Sequence, residues 1–222
     1  MGCFGLSALA LAGLLWWEPR RAEPLIELGL FRGAPFAGAT LIAVCAFAVL
    51  GGFLFLNTLY LQETRGLSPL AAGLHTLPMA VMTIVASPLS GRLVAGRGPR
   101  LPLLIAGTSM TLGLLPLTMV TAGTPVWQLF VAYVLFGFGF GMVNTPITNT
   151  AVSGMPRSRA GVAAAIASTS RQVGTALGVA VIGAVAGAGA GAAGWWIMVG
   201  LAVAVLLIGR LTTRSRVVMT DM

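Results

Sequence analysis

One arginine stands where an arginine is expensive. Arg171 lies well inside the apolar run AGVAAAIASTSRQVGTALG, residues 160–178. On a helix, Ser168, Arg171, Gln172 and Thr175 share one face by i, i+3, i+4 spacing. Just upstream, GFGFGMVNTPITNT carries Asn144, Thr145, Thr148 and Asn149 as two i, i+4 pairs around Pro146. The chemistry open to a guanidinium there is pairing with a carboxylate from outside these helices, or with a substrate, across a polar cavity. The alternative is a helix-to-helix anchor, with Arg171 bonded to Asn144 or Asn149 and to backbone carbonyls. The Asn/Thr cluster divides the same way, into interhelical hydrogen bonds or cavity lining helped by a kink at Pro146. Phe53, Asn57 and Tyr60 fall at i, i+4, i+7, an aromatic face with one amide that suits a broad apolar ligand site. Core or lipid packing for Phe53 and an interfacial anchor for Tyr60 are the competing readings.

Other chemistry finds no support. His75 is the single His, and a capping role near a span's start outweighs proton coupling. Cys3 and Cys45 lie in apolar runs, away from any His/Asp/Glu cluster, so no metal site or disulfide is expected. GFGFG follows no strand and precedes no Lys, which excludes a phosphate loop. No nucleophile–base pair is present, so the chain reads as a non-enzyme without a cofactor.

The elements that must hold these residues are membrane helices. Of 222 residues, 57% are hydrophobic and 8% charged, where soluble domains carry roughly 25% charged residues. The net charge of +8 comes from Arg alone, scattered through short turns rather than gathered on one face. That excludes nucleic acid and fits the bias of membrane proteins for cytoplasmic Arg.

Residues 1–17 are apolar, end in Trp16–Trp17 and fall just short of a full span, which needs about 20 residues. They read as a partial span running outside to inside, and hence as part of a longer protein or a start placed within a longer gene. Residues 18–35 form a mixed-charge linker, with Pro24–Phe31 suited to a short helix on the membrane surface. Six spans are expected at 36–61, 70–91, 101–121, 126–149, 159–186 and 194–211, with a tail at 212–222. The turns at 18–35, 92–100 and 150–158 (with its edge) and the tail hold 11 Arg; the opposite turns hold only Arg65. This places the Arg-rich turns and the C-terminus in the cytoplasm. Arg171 then lies about 18 Å above Arg159, near the middle of a roughly 30 Å core. The spans divide into 36–121 and 126–211. Three spans per set mean that the second enters from the opposite side, as in the inverted repeats of secondary transporters. Gly137, Gly139, Gly141, Gly174 and Gly178 offer small-residue seams for close helix packing.

SGRLVAGRGPRLPLLIAG, residues 90–107, resembles the cytoplasmic turn signature of the major facilitator superfamily, with Gly91, Leu93, Gly98 and Arg100 matching. Ala95 stands where that family often has Asp, and Gly96 where it has Arg. The 137–183 stretch, EPLIELGLF and LQETRGLSPLAAGLHTLP are similar to the 14-span drug:proton antiporters, the multidrug and quaternary-ammonium exporter type. The resemblance covers nearly the whole chain. It implies an all-α membrane protein: the six-helix C-terminal bundle (36–211) plus one partial preceding span.

By this resemblance the chain is the C-terminal half of a proton-coupled multidrug efflux transporter in the cell membrane. The full protein is then expected to work by alternating access, with amphipathic small molecules and protons as substrates, and this half, without the N-terminal half, to be inactive alone. No Asp or Glu lies inside any expected span, with Glu63 in an outer turn, so the proton-carrying carboxylate is expected elsewhere. The alternative is a non-transporting membrane module, either a degenerate remnant or the partner of a separately encoded N-terminal half.

Overall fold

A computed structural model describes Gly13, residues 34–152 and residues 157–212. Apart from Gly13, the expected partial span lies outside the described residues, as do most of the 18–35 linker, much of the 150–158 turn and nearly all of the tail.

Six helices account for most of what is described, and no strand occurs among the described residues. Helix α1 is Ala34–Leu59 and continues through a π-helical turn, Tyr60–Thr64. Then come α2 (Pro69–Arg97) and α3 (Arg100–Leu114), which tightens into a 3-10 end at Leu115–Met119. The last three are α4 (Val126–Val152), α5 (Arg157–Gly187) and α6 (Gly191–Thr212). Helices are what an apolar chain must form in lipid, because each then satisfies its own backbone polar groups.

Four ends differ from expectation by more than a residue or two: α4 runs on to Val152, α6 begins as early as Gly191, and α1 and α2 both run long. Helix α1 runs past 61, so Glu63 sits on its last turn rather than in a loop. Helix α2 runs to Arg97, six residues past the expected end, so Arg92 and Arg97 are helical. Gly91 and Gly96 do not stop it. Gly98 does, at φ +74°, a conformation that favours glycine, with its N–H bonded back to Val94 O. Pro99 follows and caps α3. At the start of α2, the Ser68 hydroxyl accepts from Ala71 N–H at 3.3 Å and Pro69 fills the first helical position.

Five of the six helices are long and apolar enough to cross a membrane, where six such spans were expected. The exception is α5, whose 31 residues give ample length. Its Arg, Gln, Ser and Thr side chains, diluted among Ala and Gly, lower its hydropathy.

The helices interlock across the two halves of the chain. Helix α1 packs most extensively on α5, α2 on α4, and α3 joins α6. Glycine seams set the first two contacts. A Cβ at Gly137 would strike the Met79 carbonyl, and one at Gly141 would lie 2.6 Å from Thr83 O. On the other side, a Cβ at Gly174 would lie 2.5 Å from Val44 O, and one at Gly178 would strike Ala48 O. Only a hydrogen fits, so the backbones approach closely.

Hydroxyls reinforce the α2–α4 seam. Thr83 donates to Gly137 O at 3.1 Å, and Ser90 to Met142 O at 2.7 Å. The second bond answers a specific need. Pro146 has no N–H, so the Met142 carbonyl one turn earlier loses its helical donor. Ser90 replaces it, and α4 stays a helix through Pro146.

Candidate functional site

The buried centre is aromatic. Phe53 stacks on Phe136 with centroids 4.3 Å apart and meets the Tyr133 and Trp195 rings edge-on at 5.7 and 6.2 Å. Asn57, 1% exposed, accepts a hydrogen bond from the Tyr133 hydroxyl at 2.6 Å through its Oδ1. Its Nδ2 has no partner within the structure. Tyr60 donates to Thr121 O at 2.7 Å. The expected ligand face of Phe53, Asn57 and Tyr60 thus points into the bundle, where it packs α1 on α4 and α6. Lipid is as apolar as a core, so the helical period could not say which way that face turned.

Arg171 lies where α1, α4 and α5 meet. Its Nη2 donates to Thr148 Oγ1 at 2.5 Å, and its guanidinium carbon sits 5.8 Å from the Phe47 ring centroid, within cation–π range. Its Nε is buried without a partner. The anchor is therefore Thr148, not the expected Asn144 or Asn149. Asn144 instead turns its amide back to Phe140 O at 3.3 Å on its own helix. Thr148 in turn accepts Arg171 while donating to Asn144 O at 3.2 Å. Thr175 donates to Arg171 O at 3.0 Å.

The surroundings are polar and uncovered. Thr148, Asn149, Ser168 and Gln172 are exposed, and Arg171, Asn144, Thr145 and Thr175 are half-buried. Together they form a polar stripe on α4 and α5, flanked by exposed apolar side chains such as Val173 and Leu177. No carboxylate lies near it among the described residues. Glu63 is 16 residues beyond Phe47 on α1, about 24 Å along the axis.

The remaining expected residues lie at the end where α2 meets α3. Gly91 and Leu93 sit in the last turns of α2, Gly98 forms the corner, and exposed Arg100 opens α3 beside Leu207, Arg210 and Leu211. His75 Nδ1 is 2.8 Å from Ala71 O on its own helix. No group of three or more His, Cys, Asp or Glu is positioned to hold a metal among the described residues. Sequence reasoning missed the Tyr133–Asn57 bond and the Ser90 bond to Met142. The second was signalled by Pro146, which always leaves one carbonyl needing a donor.

Similarity to known proteins is extensive. The protein-family model of the Major Facilitator Superfamily matches residues 1–179. A tetracenomycin C resistance and export protein of Streptomyces glaucescens is 36% identical over 183 residues, covering 82% of this chain and 34% of that protein. The multidrug resistance protein Stp of Mycobacterium tuberculosis is 36% identical over 176 residues, 79% of this chain and 33% of its own length. A tetracycline resistance determinant of Streptomyces rimosus is 33% identical over 185 residues, 82% of this chain and 53% of its own. The chain spans about a third to a half of the length of these curated relatives. With its helical bundle and a family match over most of its length, this chain belongs to the major facilitator superfamily.

Proposed function

We propose that this chain forms the C-terminal bundle of a multidrug or antibiotic efflux transporter of the 14-span, proton-coupled kind. One observation carries the reading: a polar stripe around Arg171, at the middle of α5 and against the last turns of α4, lies uncovered. In hydrocarbon such a surface is strongly unfavourable, about 2.5–3.5 kcal/mol for the arginine alone on insertion scales. It belongs against a water-filled cavity shared with a second bundle. There Arg171 keeps Thr148 as a fixed partner and presents the rest of its half-buried side chain to a carboxylate or an acceptor on the substrate. Asn149, Ser168 and Gln172 supply further neutral hydrogen-bonding groups along the wall.

The cross-packing of α1 on α5 and α2 on α4 supports two inverted three-helix repeats, 36–121 and 126–211. Such a pairing makes each bundle a rigid body that rocks against its partner in alternating access. The Arg-rich ends and the C-terminus lie in the cytoplasm, and the protein resides in the cell membrane. The proton-carrying carboxylate belongs to the other bundle, because the only carboxylate among the described residues, Glu63, sits at a helix end. The similarity to resistance and multidrug proteins supports the substrate class.

Proteoliposomes holding only these 222 residues test the division of labour. Under an imposed proton gradient they should show no efflux of a fluorescent cationic dye. Proton-driven efflux by this chain alone would overturn the assignment of coupling to another bundle.

A further inference from the structure

Two arginines meet at the end of the bundle away from Glu63. Helices α3 and α6 lie side by side there. A Cβ at Gly107 would lie 2.7 Å from Leu206, and one at Gly209 would lie 3.1 Å from the Leu103 side chain. These contacts step toward the start of α3 and the end of α6. Arg100 lies one turn before Leu103, and Arg210 directly follows Gly209. Both open onto a hollow of about 390 Å³ that Leu207 and Leu211 also line. On α6, Leu207, Arg210 and Leu211 share one face by i, i+3, i+4 spacing. One helix therefore offers charge and apolar surface together.

Three features distinguish this hollow. First, two guanidinium groups from different helices border one space with no counter-charge. Glu63, the only acidic side chain among the described residues, sits on the last turn of α1 at the opposite end of the bundle. Second, α3 starts at this corner without a side-chain cap. The positive end of its helix dipole adds to the two full charges. Third, the other walls are apolar and turned outward. Leu207 is 50% exposed and Leu211 68%, on a helix long and apolar enough to cross a membrane.

A ligand that matches this surface is anionic at one end and apolar at the other. Guanidinium groups pair with phosphate oxygens in bidentate geometry. Basic pockets between spanning helices suit acidic lipid head groups for this reason. A zwitterionic head group fits less well, because its cation finds no acid here among the described residues. A small soluble anion leaves Leu207 and Leu211 without a role. We infer that the Arg100–Arg210 hollow binds the phosphate of an anionic phospholipid, with an acyl chain along Leu207 and Leu211. Its helices are not those of the Arg171 stripe, and the site stands whether or not the chain transports anything.

Native mass spectrometry of the 222-residue chain in detergent tests this, with dioleoyl phosphatidylglycerol titrated against dioleoyl phosphatidylcholine. The expected result is saturable binding of phosphatidylglycerol in preference to phosphatidylcholine. Arg100→Gln and Arg210→Gln should each weaken it about fivefold, and together about 25-fold, the equivalent of about 1 kcal/mol per arginine. Arg92→Gln with Arg97→Gln removes the same charge from the exposed end of α2 and should leave the affinity nearly unchanged. Leu207→Ser should weaken lipid binding severalfold, and excess inorganic phosphate should not displace the lipid. Arg100, Leu207 and Arg210 are exposed, so these changes spare the core; far-UV circular dichroism checks that the helices persist. Equal retention of both lipids by the unaltered chain overturns the inference. So does unchanged affinity in the Arg100→Gln, Arg210→Gln double variant. An equal loss in the Arg92→Gln, Arg97→Gln pair would make net charge the cause and overturn the site. Displacement by inorganic phosphate, with Leu207→Ser silent, would assign the hollow to a free phosphate ion instead.

Discussion

Thr148 and Arg171 join α4 to α5 through a single charged hydrogen bond of 2.5 Å. Neither residue can be exchanged without exposing the other. Replacing Thr148 by Val keeps the shape but leaves Nη2 without its acceptor, and Arg171→Ala removes the charge altogether. If the proposed function holds, then in a complete transporter containing this bundle Arg171→Ala should abolish drug resistance while the protein still accumulates in the membrane. Thr148→Val should reduce resistance only severalfold. Drug susceptibility measured with an immunoblot of the membrane fraction reads both. Loss of membrane accumulation in Arg171→Ala would mean that the residue serves packing alone.

Arg171→Lys asks a sharper question. An ammonium keeps the charge but loses the planar donor fork and much of the stacking over Phe47. Efflux should fall at least tenfold even though the charge is preserved. Near-normal efflux would show that only the charge matters.

Much of the architecture was legible in the sequence because lipid forces it. Six helices, their punctuation by Gly and Pro, and the glycine seams all follow from helix length and backbone satisfaction. Which face of α1 is buried was not legible. In water a buried face is read from apolar periodicity, but an apolar helix in lipid shows no such contrast. Phe53, Asn57 and Tyr60 therefore looked equally suited to a ligand wall and to the core. Thr148 was passed over as the Arg171 anchor for a related reason. Spacing places Thr148 and the two Asn within a turn of one another, and only the rotation of α4 on α5 selects among them.

Gly178→Val should be among the most damaging single changes in the bundle. Its side chain would strike the Ala48 backbone, which cannot move aside. Overpacking of this kind destabilises by about 1–3 kcal/mol or more. Thermal aggregation of the detergent-solubilised chain should begin at a markedly lower temperature. Gly73→Val, which meets no atom within 4 Å, is the matched control and should leave it nearly unchanged.

Ser90→Ala should destabilise the bundle by about 0.6 kcal/mol or somewhat more, the usual range for an interhelical hydrogen bond in a membrane. The effect should shrink when Pro146→Ala is added, since residue 146 then supplies the missing N–H to Met142 O. A double-mutant cycle in denaturant unfolding measures the coupling. Strict additivity would show that Ser90 does not answer the proline.

Tyr133→Phe leaves Asn57 buried with neither end bonded. It should destabilise more than the double change Tyr133→Phe with Asn57→Leu, which removes both polar groups. Equilibrium unfolding of the two variants decides the order.

The cross-packing of α1 on α5 also dictates when this protein can mature. Ala48 waits for Gly178, about 130 residues later in the chain. At roughly 5–20 residues per second, synthesis of that stretch takes on the order of ten seconds. Throughout that interval α1 stands in the membrane with its seam open, and α2 waits similarly for α4. Assembly is therefore set by the end of translation rather than its beginning. A ribosome that stalls before α5 leaves behind inserted helices with unpaired faces, a ready substrate for membrane quality control.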